Sequence, residues 1–141
     1  HLLAWPGIRE VTEDMTFDQM IQEAHKLLHP HVLGSQGEAA TVAAVLLTDK
    51  GTIYRGVNID VPCSMGFCAE HSAAAAMVTA GESRIVQLVA VHWEKGIVSP
   101  CGRCREFLCQ LNRKNRSCQV LLPGGRAVTL GELLPEPWDE N

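Results

Sequence analysis

Three thiols and one carboxylate are the groups in this chain best placed to do chemistry together. Cys68-Ala69-Glu70 is followed well downstream by Pro100-Cys101-Gly102-Arg103-Cys104. Three cysteines can hold a zinc ion and leave a fourth tetrahedral position for water, which separates a catalytic zinc site from a structural one. Zinc lowers the pKa of its water, so that hydroxide exists near neutral pH. Glu70 stands two residues past the first cysteine, close enough to move protons without binding the metal. This pairing suits hydrolytic removal of an amino group from an amidine-like ring carbon. The competing reading is a closed zinc knuckle, which wants a fourth Cys or His at matching spacing. His71 and His92 are the nearby options, and ligand groups separated by a whole βα unit do not look like a ribbon.

The elements that must position these groups are legible from periodicity and punctuation. Residues 1–15 show no clear period and read as an irregular lead-in. Thr16 and Gln19 form a capping box pattern, and Phe17, Met20, Ile21, Ala24, Leu27 and Leu28 then recur at helical spacing up to His29, before Pro30. Gly34 to Gly37 reads as a loop. Thr41 to Thr48 is a continuous apolar run and reads as a buried strand. The turn Asp49-Lys50-Gly51 and the run Thr52 to Val57 complete a hairpin. Residues 58–67 read as loop, and 69–80 as an Ala-rich helix closed by Gly81. Residues 85–93 read as strand, 95–100 as loop, 102–112 as helix and 118–122 as strand. A short strand at Ala127-Val128 and a short helix capped by Thr129 and Glu132 follow. Alternating strands and helices imply crossovers with a parallel component. The expectation is a single α/β domain over 1–141 with a mixed sheet of five strands.

Both cysteine groups fall at helix N-termini in this reading. Free amides and partial positive charge there lower thiol pKa and favour the thiolate. Three thiolates on one Zn²⁺ leave net negative charge, which a nearby cation would offset. His71 and Arg103, both inside the motifs, are the charge-balancing candidates.

Composition narrows the setting. The chain has 141 residues, 46% hydrophobic and 20% charged, a globular mix with one domain's length. Its net charge of -4 argues against nucleic acid, whose binders display a basic face. No apolar run is long enough to span a membrane, and no secretory signal opens the sequence. It begins at His1, so the true start is expected to be missing or processed. Six cysteines would permit three disulfides in a short secreted chain. The expected core and absent signal point instead to a cytoplasmic protein with reduced thiols. Cys109 and Cys118 then read as buried small hydrophobes, and Cys63 as a loop residue that either faces the site or does not.

The motifs Gly56-Val57-Asn58, Cys68-Ala69-Glu70, Pro100-Cys101-Gly102-Arg103-Cys104-Arg105 and Glu132-Leu133-Leu134-Pro135 resemble the short-chain cytidine deaminase family, with its zinc deaminase signature. The resemblance runs from about Thr41 to Pro135. It implies a three-layer α/β/α sandwich, one zinc per subunit, and a homotetramer with sites at subunit interfaces. It also implies attack at C4 of a cytosine ring, releasing ammonia and leaving uracil, as in pyrimidine salvage. Cys68, Cys101 and Cys104 would be the zinc ligands and Glu70 the proton shuttle. The Ala69 amide would face the pyrimidine carbonyl, and Asn58 would hold the sugar.

Departures from the pattern concern substrate. Asp60 stands where the family has Glu, Ala40 where it has an aromatic, His71 where it has Arg, and Glu106 where it has Gln. The loop between Asn58 and Cys68 is slightly short. Trp138 can supply an aromatic wall, to its own or a neighbouring subunit, or anchor the tail. The Gly96-to-Cys104 segment also resembles blasticidin S deaminase, so a cytosine nucleoside antibiotic is the alternative substrate to cytidine or deoxycytidine. A nucleic-acid deaminase and a non-catalytic zinc module are the remaining readings. His25, His29 and His31 read as a solvated helix end, His92 as a satisfied strand residue, and Arg105 as a structural group bonding carbonyls or an interface partner.

Overall fold

A computed structural model describes residues 8–10 and 15–139. Its strands are β1 Ile8–Glu10, β2 His31–Leu33, β3 Gly37–Thr48, β4 Thr52–Asp60, β5 Ile85–His92, β6 Gly96–Val98, β7 Gln119–Leu121 and β8 Ala127–Thr129. The helices are α1 Phe17–His25, α2 Ala69–Thr79 and α3 Gly102–Leu111, with 3₁₀ turns at Arg113–Ser117 and Gly131–Leu133. The sheet runs β1-β4-β3-β5-β7-β8, with β2 beside β3 and β6 beside β5. The five expected strands are its β4, β3, β5, β7 and β8. Three short strands widen it to eight, and one of them, β1, lies in the stretch read as an irregular lead-in. The β5–β7 pair is parallel and the other ladders are antiparallel.

The period of two along β3 divides the interior into two cores. Ala43, Val45 and Leu47 join Met20 and Ala24 of α1 on one face. Ala44 and Leu46 join Ala73, Ala74 and Met77 of α2 and Leu108 of α3 on the other. Helices therefore cover both faces, as the sandwich expectation requires.

Helix α1 starts as expected. The Thr16 hydroxyl accepts from the Gln19 amide at 3.2 Å, and the Gln19 side chain accepts from the Thr16 amide at 2.9 Å. It ends at His25, earlier than the periodicity suggests. The Leu27 and Leu28 amides bond three residues back, and the His29 amide goes to the Ala40 carbonyl at 3.2 Å. The residue before Pro30 is steered out of the helical region, and here the sheet takes up its amide.

Strand β3 begins at Gly37 and β4 continues to Asp60, so the loops expected at 34–37 and 58–67 hold only over 34–36 and 61–66, with Phe67 bridged to Ile59. A bulge between Ala39 and Ala43 links the two extensions. Ala40 is its first residue, fully buried, with a left-handed φ of 62°. The Asn58 carbonyl oxygen accepts from both the Thr41 and Val42 amides, at 3.0 and 2.9 Å, and its nitrogen donates to the Thr41 hydroxyl at 2.8 Å. Asn58 thus satisfies the amides that the bulge frees from the ladder, and the strand can continue past it.

Helix α2 packs hard onto β4. A Cβ on Gly56 would lie 2.4 Å from the Ala73 nitrogen, so only glycine fits there. The run of alanines serves the same close approach. Ser72 donates its hydroxyl to the Val57 carbonyl at 2.7 Å, and Tyr54 donates to Glu82 just past the helix. The buried Asn115 anchors α3: it accepts from the Ile85 amide at 2.7 Å and donates to Ser83 and Leu108 carbonyls at 3.0 and 2.9 Å. The 3₁₀ turn that carries it and the strand β6 lie in segments without clear periodicity.

The bulge at Ala40 stores strain. A left-handed L-residue costs about 1–2 kcal/mol, part of which glycine loses in unfolded-chain entropy. Glycine also gives up a fully buried methyl worth about 0.8 kcal/mol, so the gain and the losses nearly cancel and Ala40→Gly is expected to leave stability within about 1 kcal/mol of the parent. A urea midpoint close to the parent's at unchanged m-value is the expected result, and a fall of the size usual for a fully buried side-chain truncation, about 2 kcal/mol or more, would contradict it.

Candidate active site and metal centre

Two helix N-termini meet at one point. Cys68 is the N-cap of α2, with φ −72° and ψ 161°, and Cys101 is the N-cap of α3, with φ −69° and ψ 168°. Cys104 lies in the first turn of α3. Their sulfurs lie within 4.8 Å of one another. Cys68 and Cys101 are 3.3 Å apart, and Cys101 and Cys104 are 3.6 Å apart. Zinc–sulfur bonds of about 2.3 Å imply sulfur–sulfur edges of about 3.8 Å in a tetrahedron, so the spacing suits a shared zinc ion.

The ionisation of the bare thiols points the same way. Burial, the bond to Cys101 and the charges of Cys101 and Glu70 push the Cys68 thiol up to about 11, against a bond from Cys104. Burial and the charges of Glu70, Cys68 and Cys101 push Cys104 far above the ordinary thiol range. Cys101 goes the other way: burial raises it, but the Cys104 and Arg103 amides and the two neighbouring thiols bring it below its ordinary value. Burial and mutual repulsion disfavour charge on Cys68 and Cys104, which a cation among the sulfurs would relieve. That donor set fits Zn²⁺.

No fourth protein ligand joins the cluster among the described residues. His71, one candidate, puts Nδ1 3.3 Å from the Cys104 sulfur. Against a thiolate, which cannot donate, Nδ1 must carry the proton. The His71 ring stacks on Phe107 at 4.3 Å and 10°, with Phe67 tilted at 6.2 Å. Burial first and then the Arg103 charge hold its pKa below the ordinary value. His92, the other candidate, accepts from the Glu94 and Lys95 amides in a turn. Cys63 is exposed and outside the cluster, whereas Cys109 and Cys118 are buried as expected.

Glu70 is 3% exposed in the first turn of α2. Burial raises its pKa, against the lowering effect of its own amide and of Cys104. It shares a cavity of about 440 Å³ with Cys68, Cys101, Ala69, Asn58 and Asp60. That volume falls within the range of small-molecule sites. Asn58 and Asp60, two apart on β4, face the same cavity because β4 runs further than the sequence suggests. Arg103 also lines it, and donates Nη1 to the Gly66 carbonyl at 3.2 Å.

Trp138 is not part of this wall. It is 83% exposed, and its amide donates to Glu106 at 2.8 Å, on the outer side of α3. Arg105 bonds carbonyls as expected, Pro100 at 2.8 Å and Leu133 at 3.3 Å. Sequence reasoning missed Phe67, Val42 and Ser99 as cavity residues. It read Phe107 only as core, although its position three after Cys104 places it beside that thiol's neighbour.

Residues 16–119 match the model of a family described as the cytidine and deoxycytidylate deaminase zinc-binding region. The chain is 37% identical over 99 residues to a cytidine deaminase of Sporosarcina psychrophila, covering 67% of this chain and 71% of that protein. It is 33% identical over 98 residues to the cytidine deaminase of Proteus mirabilis, covering 67% of this chain but only 31% of that longer protein. The crystal structure of cytidine deaminase from Mycobacterium tuberculosis superimposes with a TM-score of 0.74 at 27% identity, over 89% of this chain and 99% of that one. One from Burkholderia pseudomallei gives 0.70 at 25% identity, over 88% and 100%. The matched stretch runs from the cap of α1 into β7 and takes in every thiol of the cluster, and on that ground the chain belongs to the cytidine and deoxycytidylate deaminase family.

Proposed function

We propose that this protein hydrolyses the 4-amino group of a cytosine nucleoside, yielding ammonia and the uracil nucleoside. The observation that carries the reading is the buried carboxylate of Glu70 sharing one cavity with the thiol cluster. Cys68, Cys101 and Cys104 would hold zinc, which when bound supplies a Lewis acid that makes water nucleophilic near neutral pH. Glu70 takes a proton on its carboxylate, gives it to the ring nitrogen, and serves the leaving amine in the same way. The Ala69 amide, one of the unpaired donors at the start of α2, faces the pyrimidine carbonyl. Asn58 spends its oxygen on the β3 bulge, so it offers a sugar hydroxyl a donor, and Asp60 supplies the acceptor.

Charge balance is divided in this reading. His71, held towards its neutral form, gives Cys104 a hydrogen bond rather than a full charge. The positive charge comes from Arg103, whose field reaches the His71 ring. The relatives described above carry the name cytidine deaminase, which favours an ordinary cytosine nucleoside over an antibiotic one. We also assign the chain to a cytoplasmic homo-oligomer, a tetramer, acting in pyrimidine salvage. Trp138 then reaches substrate only in a neighbouring copy.

Zinc-loaded protein mixed with cytidine or deoxycytidine should lose the cytosine absorbance band and release ammonia in equal amount. Silence on both would refute the substrate reading. Glu70→Gln should retain zinc and lose turnover by about 10²–10⁴-fold; turnover near the parent value would remove Glu70 from its role. Because burial raises the Glu70 pKa and the base must be ionised, kcat/KM should fall on acidification through a pKa above the ordinary carboxylate range. A profile flat down to pH 4.5 would contradict this. His71→Phe keeps an aromatic ring over Phe107 but removes the N–H. It should weaken zinc retention about 10–100-fold in a chelator competition, and unchanged retention would assign His71 to packing alone.

A further inference from the structure

We propose that Arg103 is a positioning residue, a latch that holds the 62–67 segment against the N-terminus of α3 and so controls how readily the cavity opens. Both parts line the cavity: Ser64, Gly66 and Phe67 from the segment, and Val98, Cys101 and Arg103 from the approach to α3 and its first turn. The segment leads into Cys68, and Arg103 sits between Cys101 and Cys104. The latch therefore joins the two ligand-bearing stretches at a point outside the sulfurs.

The segment needs holding. Cys63 and Ser64 are consecutive L-residues with left-handed φ values of 64° and 57°. Each costs about 1–2 kcal/mol and persists only where the surroundings impose it. At its far end the segment is fixed, because Phe67 and Ile59 exchange backbone hydrogen bonds of 2.9 and 3.0 Å. A Cβ on Gly66 would lie 2.1 Å from the Ile59 carbonyl oxygen, so the chain presses against β4 there. Before that point, a 3.4 Å bond from the Met65 amide to the Pro62 carbonyl closes the turn internally. Among the described residues, the hydrogen bond reaching residues 62–66 from elsewhere in the chain is the one from Arg103 Nη1 to the Gly66 carbonyl, 3.2 Å long.

The latch can release. Arg103 is exposed and Gly66 is half-buried beside the exposed Met65, so the guanidinium regains water when the bond breaks. A charge-assisted donor makes it stronger than an ordinary surface hydrogen bond. The guanidinium reaches the carbonyl while its charge is still felt at the His71 ring, which bonds Cys104, so the electrostatic role and the mechanical one can coexist in one side chain.

The latch assumes the zinc-site reading but not turnover, so its test uses hydrogen exchange on the zinc-loaded full chain without substrate. A chain inactive on cytidine still answers it. In Arg103→Ala, the hydrogen-bonded amides of Met65 and Phe67 should exchange about tenfold faster relative to those of α1, the factor that about 1.4 kcal/mol of lost restraint sets. Arg103→Lys keeps the charge but not the planar donor, and it too should exchange faster than the parent. Exchange of the segment unchanged relative to α1 in Arg103→Ala would overturn the proposal. Parent-like exchange in Arg103→Lys would overturn it as well, by showing that charge alone suffices.

Discussion

Three sulfurs within 4.8 Å of one another repel as soon as more than one is ionised, and the surrounding structure is arranged around that constraint. Two helices aim their N-termini at the cluster, so free amides and dipoles favour negative charge. The one thiol drawn below its ordinary range, Cys101, is the one that receives α3 amides. Glu70 works in the opposite sense, since its charge raises both Cys68 and Cys104. A buried carboxylate beside the half-buried Cys68 and the buried Cys104 carries its charge more easily with a divalent cation between them. The same repulsion that makes the bare site awkward is what gives it affinity for such an ion.

Close packing brings the two termini together. Helix α2 can lie on β4 because Gly56 has no side chain and because its inner face is alanine. Ser72 and Tyr54 then hold it along its length. Helix α3 is set from its far end, where Asn115 joins its last turn to the start of β5. Cavity, Glu70 carboxylate and thiols all sit on the α2–α3 side of the sheet, whereas α1 packs on the opposite face.

Much of this was legible in the residues. The capping box at Thr16, the continuous apolar run that marks β3, the alanine run of α2 and the cysteine spacing each express one local rule, and each element formed. The extents of β3 and β4 were not legible. Their extension depends on a bulge that Asn58 satisfies from 17 residues away, and no local pattern carries such a bond. Strand β6 and the turn around Asn115 were missed for the same reason: both are defined by what they pair with. His71 and Arg103 were named from their place in the motifs. Their different partners, a sulfur and a backbone carbonyl, depend on how the two helices are set side by side.

The separation of 33 residues between Cys68 and Cys101 has a meaning in chain topology. The stretch between them contains β5, the strand that β3 and β7 flank. An ion held by both residues closes that stretch into a ring and ties it off as a disulfide would. By polymer entropy alone, a ring of that size removes about 4 kcal/mol of freedom from the unfolded chain. The group that equips the site for chemistry would thus also pin the middle of the sheet. Losing it would loosen the fold from its centre outward, and catalytic competence and structural integrity would fail as one event.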